Sequence, residues 1–556
     1  MRRVVAVLSL SLFLGLSLGP EVAHSQDDPS PLPGVFGEVI DVRVINIEVV
    51  VTDKSGVQVT GLGPDDFRLL VDGQEQPIDY FTEVRGGIAV ERPDDPAAEV
   101  PAILPGKPVG TSYLVFIDEF FSVARDRDRV LNSMIDDLGY LGPEDRMAIV
   151  AYNGRDLEML STWSQSTRAL ERAMREAMGR RTYGLQRISE TREVDSNAVF
   201  SAVADFGDGD LVDPLGFFQT ELRPEERFYV SRLGDQVERS VTAAAATLRS
   251  FSSPPGRKVM LILSGGWPFV PADFILAEDR FTVLDRVGPE GSQLFSVLSD
   301  TANLLGYTLY PVDVPGFNAS PVDVERTTPS LRPFGLDTSF LRQQDRQYSL
   351  RYLADETGGK ALLNADRTNV LDIAAGDTRS YYWLGFVPER VGDNERHDIR
   401  VEVRGPGFKV RSREGYLDSS RQREVTMSVE STLLFGNTAT EDRLAVELGE
   451  PQRAGLRRMK VPVAIDIPAS ELTFVPAGGR YATEVEMRFA VMDAGGGRAP
   501  IPVIPLQLEG DGPPAAGVVT RYETTLKLRR SQHRLVVALF DKASGRILSG
   551  SAVINP

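Results

Sequence analysis

The chain has 556 residues, 42% hydrophobic and 25% charged, enough for several ordinary globular cores. A net charge of −18 repels phosphate backbones, so nucleic acid is excluded as an expected partner. With no Cys and three His, thiol catalysis, thiolate metal sites and disulfides are excluded, and a histidine-rich zinc site is not expected.

Taken in chain order, Arg2 and Arg3 precede an apolar run over residues 4–18, and Ala23-His24-Ser25 supplies a small-x-small cleavage pattern. Residues 1–25 therefore read as a signal peptide, with the mature chain in the periplasm or secreted. No later segment is apolar enough to span a bilayer. Residues 26–37 read as a leader. Residues 38–86 form an N-terminal β segment, with strands at 42–53, 67–71 and 78–84 and a turn at Asp72-Gly73. Residues 87–111 read as a Pro-rich linker.

From 112 to 375, continuous apolar strands (113–118, 147–152, 259–263, 308–314) alternate with helical patterns (126–138, 167–178, 228–251, 293–305, 339–356). That alternation predicts an α/β domain with a doubly wound, mostly parallel sheet and a ligand crevice beyond the carboxyl ends of its strands. Residues 179–226 read as an irregular insertion at the rim of that crevice. After 378 the helices stop. Residues 378–418 read as strands expected to pair with 38–86, so that the α/β domain is inserted into one sandwich. Residues 425–556 read as a C-terminal Ig-like β-sandwich.

At this point several stretches resemble a known family. They are INIEVVVTDKSGVQVTGLGPDDFRLLVDGQEQPIDYF (45–81), YLVFIDEFFS (113–122), PGRKVMLILSGG (255–266), LADETGGKAL (353–362), YYWLGFVPE (381–389) and VRSREGYL (410–417). Their order is similar to that of the VWFA-related proteins described mainly from Acidobacteria, over roughly residues 38–417. The resemblance implies a von Willebrand factor A domain. In many relatives such a domain binds partners through Mg²⁺, held by an Asp-x-Ser-x-Ser loop, a Thr and a second Asp. Asp118 and Ser122 match the first and last loop positions. Phe120 stands where the middle Ser belongs, Gly265 where the second Asp belongs, and no Thr is assigned.

The metal set is thus degenerate, with Asp118 and Ser122 as its remnants, and no cofactor is expected. Without an ion, Asp118 is expected to accept hydrogen bonds from amides at the start of the next helix. Glu119, Phe120, Gly265, Gly266 and Trp267, together with Asp205, Asp208, Asp210 and Asp213, are the candidate binding rim. The four Asp of that acidic loop are a candidate Ca²⁺ site, without the flanking helices or distal Glu of an EF-hand. Ser264-Gly265-Gly266 lacks the Lys of a phosphate loop. Tyr381 and Trp383 read as core residues, and His397, with no His or Cys partner, as a strand surface residue.

The functional expectation is an exported, non-catalytic protein-binding or adhesion protein with a protein partner. The alternatives are an envelope-assembly component using the α/β domain as a spacer, and a carboxylate-based hydrolase marked by two close acidic residues in the crevice.

Overall fold

A computed structural model describes residues 7–9, 44–90, 105–205, 224–251, 256–271, 291–314, 338–365, 369–388, 392–435, 444–455, 457–477, 479–493, 498–515 and 517–556. The segment read as a signal peptide (apart from Val7–Ser9, which pairs parallel with residues 521–523), the segment read as a leader and most of the segment read as a linker lie outside the described residues. The chain divides into two compact units, the larger being Arg43–Ser419.

The larger unit starts with β1 (Ile45–Thr52), β2 (Phe67–Val71), β3 (Gln74–Gln76) and β4 (Tyr80–Arg85). The α/β domain follows: β5 (Thr111–Asp118), α1 (Ala124–Asp136), β6 (Arg146–Tyr152), β7 (Leu157–Ser164), α2 (Thr167–Met178), α3 (Gly184–Asp205), α4 (Pro224–Ser250), β8 (Arg257–Ser264), α5 (Gly291–Leu305), β9 (Tyr307–Asp313), α6 (Thr338–Glu356) and α7 (Val370–Thr378). The unit closes with β10 (Tyr381–Phe386), β11 (Arg396–Val403), β12 (Lys409–Arg411) and β13 (Gly415–Leu417).

The α/β sheet has the order β9-β8-β5-β6-β7, parallel except for the antiparallel edge strand β7. All eight residues of β5 are buried, because helices cover both faces of the strand at the centre of the sheet. Its core joins Val115, Ile117, Ile149, Leu261 and Leu263 to α1, α2 and α7. The chain order reverses between β5 and β8, so the crevice rule places a site at Asp118 and Ser264.

The segments flanking this domain pair with one another. β10 lies between β1 and β4, and β11 pairs with β2, all antiparallel. Alternate residues Ile47, Val49 and Val51 of β1, Phe67 and Leu69 of β2, Tyr382 and Leu384 of β10, and Ile399 and Val401 of β11 close one core at the two-residue period of strands. The opposite faces of β1 and β10 carry Val50, Tyr381 and Trp383 in a second, smaller cluster.

In the other unit, α8 (Arg421–Phe435) precedes a sandwich of β14 (Ala445–Leu448), β15 (Arg458–Pro468), β16 (Arg480–Asp493), β17 (Val503–Gly510), β18 (Val519–Arg529), β19 (His533–Asp541) and β20 (Ile547–Ile554). β15 lies between β14 and β18, and the second sheet runs β17-β16-β19-β20, all antiparallel. Met487, Leu539, Val461 and Val463 meet in its core.

Two elements differ from the sequence reading. Residues 421–435 are helical where strands were expected from 425: Val425, Val429 and Leu433 recur every fourth residue and are buried, although β-branched residues mask that stripe. Residues 184–205, within the segment read as irregular, form α3, whose buried face sets Arg187 and Thr191 beside Ile188 and so shows no apolar stripe.

Candidate functional site

Asp118 ends β5 and is completely buried. Its Oδ1 accepts the amides of Phe120 (3.0 Å) and Phe121 (3.1 Å). Its Oδ2 accepts from Ser264 Oγ at 2.8 Å and from the Trp267 indole Nε1 at 2.7 Å. Four donors thus converge on one carboxylate at the reversal point of the sheet. Burial still outweighs them and pushes the Asp118 carboxyl up to about 6.

The fold of the surrounding loops follows from this anchoring. Gly265 donates its amide to Phe121 O, and Gly266 adopts a left-handed φ of 86° where an added Cβ would lie 2.8 Å from Arg346 Cβ. This turn carries Trp267 back under β5, where its ring stacks on Phe295 at 6.0 Å. Ser122 is completely buried and its Oγ has no hydrogen-bond partner.

The residues do not fit a hard divalent cation. Both Asp118 oxygens already accept protein donors, and the indole N–H points at the oxygen an ion would need. Ser264, for which no role was read from sequence, completes the carboxylate's shell, and a hydroxyl next to a strand-end Gly-Gly gave no signal of it. The amides of Phe120 and Phe121 satisfy Asp118 just before the α1 helix starts.

Of the candidate rim, Glu119, Gly265, Gly266 and Trp267 are buried, so they form no accessible rim. Glu119 turns away from Asp118 to pair with Arg180 (2.6 Å), with Arg127 at 3.9 Å, as the strand alternation requires. Burial raises its carboxyl despite Arg180. Phe120 is half-buried against Gly154, with the Arg187 guanidinium 4.6 Å over its ring. Tyr183 lies 6.2 Å from Phe120, and Leu185, two residues on, is 68% exposed. Asp205 ends α3, and its side chain lies outside the described residues, as do Asp208, Asp210 and Asp213.

The structure also gathers residues the sequence kept apart. His397 lies between Asp72 (Nδ1–Oδ2, 2.8 Å) and Asp393 (Nε2–Oδ2, 3.0 Å), with Asp418 nearby. Asp72 and His397 are separated by 325 positions, so no local spacing signals their meeting.

The raised Asp118 carboxyl makes a pH prediction. The folded protein holds this proton more tightly than the unfolded chain, whose Asp titrates near ~3.9. The contribution of Asp118 to stability is therefore greatest below about pH 4 and falls as pH rises to about 6, then stays level. The difference in unfolding free energy between wild type and Asp118→Asn should change across that window and not above it. A difference independent of pH from 4 to 7 counts against the assignment.

No protein-family model matches the chain, and no curated protein matches it. Among solved structures, it is similar to the vWF domain of the type V pili tip protein Mfa5 from Porphyromonas gingivalis, at 11% identity over 48% of this chain and 94% of that one, with a TM-score of 0.25. The pilus adhesin SpaC from Lactobacillus rhamnosus GG is 9% identical over 80% of this chain, with a TM-score of 0.24, and the chain spans 56% of its length. A von Willebrand factor type A protein from Catenulispora acidiphila is 10% identical over 88% of this chain and 73% of that one, with a TM-score of 0.22. Among the described residues, no helix is long and apolar enough to cross a membrane.

Proposed function

We propose that the protein is an exported, non-catalytic protein-binding factor whose von Willebrand factor A-like domain engages its partner without a bridging metal ion. The observation that carries this reading is the closure of the Asp118 carboxylate by Trp267, Ser264 and two amides. A carboxylate fully enclosed by donors offers neither an open coordination position nor a base within reach of a substrate. Glu119, its neighbour, is neutralised by Arg180 and faces elsewhere. Recognition then falls to the surface beside the crevice, where Phe120, Tyr183 and exposed Leu185 supply apolar contact and Arg181 lies 5.1 Å over Tyr183. Aromatic and Arg side chains of this kind favour protein partners. The basic pair Arg2-Arg3 and the apolar run at residues 4–18 support export.

The test is capture of envelope proteins by the immobilised full chain. A partner should be retained equally in Mg²⁺ and in chelator, and Leu185→Glu should abolish its retention while leaving the fold intact. Retention lost in chelator and restored by Mg²⁺ would sink the metal-independent reading. Retention unchanged in Leu185→Glu would sink the placement of the surface.

A further inference from the structure

At one end of the sandwich in the larger unit, three chain segments meet on one imidazole. His397 is the second residue of β11 and is registered against Tyr416 of β13, on whose ring it stacks at 5.0 Å. Asp393 lies in the turn before β11, and Asp418 follows β13. Ligand atoms of Asp393, His397 and Asp418 all lie within 4.8 Å of one another. Asp418 is 1% exposed, and its Oδ2 accepts the Gly392 amide at 2.6 Å.

The fourth group decides how this cluster reads. Asp72, from the turn between β2 and β3, accepts the Asp398 amide at Oδ1 (2.9 Å) and meets His397 Nδ1 with Oδ2 (2.8 Å). With the Nδ1 proton held by Asp72, the Nε2 lone pair faces the Asp393 oxygen at 3.0 Å. The ligand atoms of Asp393, His397 and Asp418 lie within 4.8 Å of one another, close enough for one ion at a common point to touch all three.

We propose that this point is a binding site for one divalent transition-metal ion of the Zn²⁺ or Mn²⁺ type. Its ligands are His397 Nε2 and one oxygen each from Asp393 and Asp418, and Asp72 is the outer carboxylate that orients the imidazole. An imidazole ligand favours such ions over Mg²⁺ or Ca²⁺, which prefer all-oxygen shells. A carboxylate on the far nitrogen of a metal-bound His is the usual way the ring is aimed and its basicity raised. Asp393, at 28% side-chain exposure, leaves the remaining positions open to water. The ion pins the turn before β11 to the end of β13, where the chain leaves the larger unit, and so acts as a structural staple.

The experiment is calorimetric titration of the chelator-treated full chain with Zn²⁺, in excess Mg²⁺ to suppress weak oxygen sites. One equivalent should bind. Asp393→Asn and His397→Gln should each weaken binding at least ~10-fold, Asp72→Asn ~10–100-fold through the outer carboxylate, and Asp118→Asn, at the crevice, not at all. Bound Zn²⁺ should also raise the thermal midpoint of the wild type but not that of Asp393→Asn. Asp393 is partly exposed, so that variant decides the matter if His397→Gln fails to fold. No binding at millimolar Zn²⁺, or equal affinity in wild type and Asp393→Asn, overturns the site.

Discussion

Arg257→Met should cost the larger unit about 3–5 kcal/mol, the usual penalty for stranding one member of a buried ion pair. Arg257 begins β8 and is 1% exposed, with Nε 3.0 Å from Glu48 Oε2 on β1. Thr308 Oγ1 donates to the same carboxylate oxygen at 3.0 Å, Arg257 Nη1 donates to Thr378 O, and the guanidinium lies 4.5 Å over Tyr381. The pair therefore joins the amino ends of the α/β strands to the flanking sheet, in surroundings where water cannot stand in for the missing cation. In Glu48→Gln/Arg257→Met the uncompensated charge is gone, so most of the loss should be recovered. Tryptophan fluorescence during urea unfolding reads this directly, because Trp163, Trp267 and Trp383 all belong to the larger unit. A loss below ~1 kcal/mol would mean that the pair behaves like a solvated surface bridge.

Trp267→Ala should be comparably damaging, at about 3–5 kcal/mol, since it removes a completely buried indole stacked on Phe295. Trp267→Phe separates the two roles of the ring. It keeps most of the volume but withdraws the donor from Asp118 Oδ2, which should cost about 1–3 kcal/mol. The alanine variant also strips Asp118 Oδ2 of its indole donor. Millimolar Mg²⁺ should therefore raise the unfolding midpoint of Trp267→Ala and leave the wild type unmoved. Emission from Trp163 and Trp383 follows both proteins. Equal stabilisation of the wild type would show that the indole does not close the crevice.

The mixed α/β class was legible because the apolar runs of β5, β6, β8 and β9 have no polar face, the mark of strands covered on both sides. The residues at the carboxyl end of β5 were legible too, since a strand-end Asp at a chain reversal is a local feature. What its Oδ2 binds was not. Its partners Ser264 and Trp267 lie 146 and 149 positions away, and only the left-handed turn at Gly266 swings the indole inward. An indole next to two glycines reads equally well as a surface anchor or a buried plug, and burial settled it. The same limit hid Asp72 from His397, and Arg187 and Thr191 on its buried face hid α3.

The insertion of the α/β domain between β4 and β10 has a mechanical consequence. Both crossings to that domain leave and enter the same flanking sheet, so a pull along the chain enters the larger unit at β1 and leaves after β13. β1 is clamped antiparallel between β10 and β12, with paired residues from Ile45 to Thr52. Tension along the chain is thus borne first by those strand pairings. Because Glu48 of β1 holds Arg257 of β8, load on β1 also reaches the inserted domain through that pair.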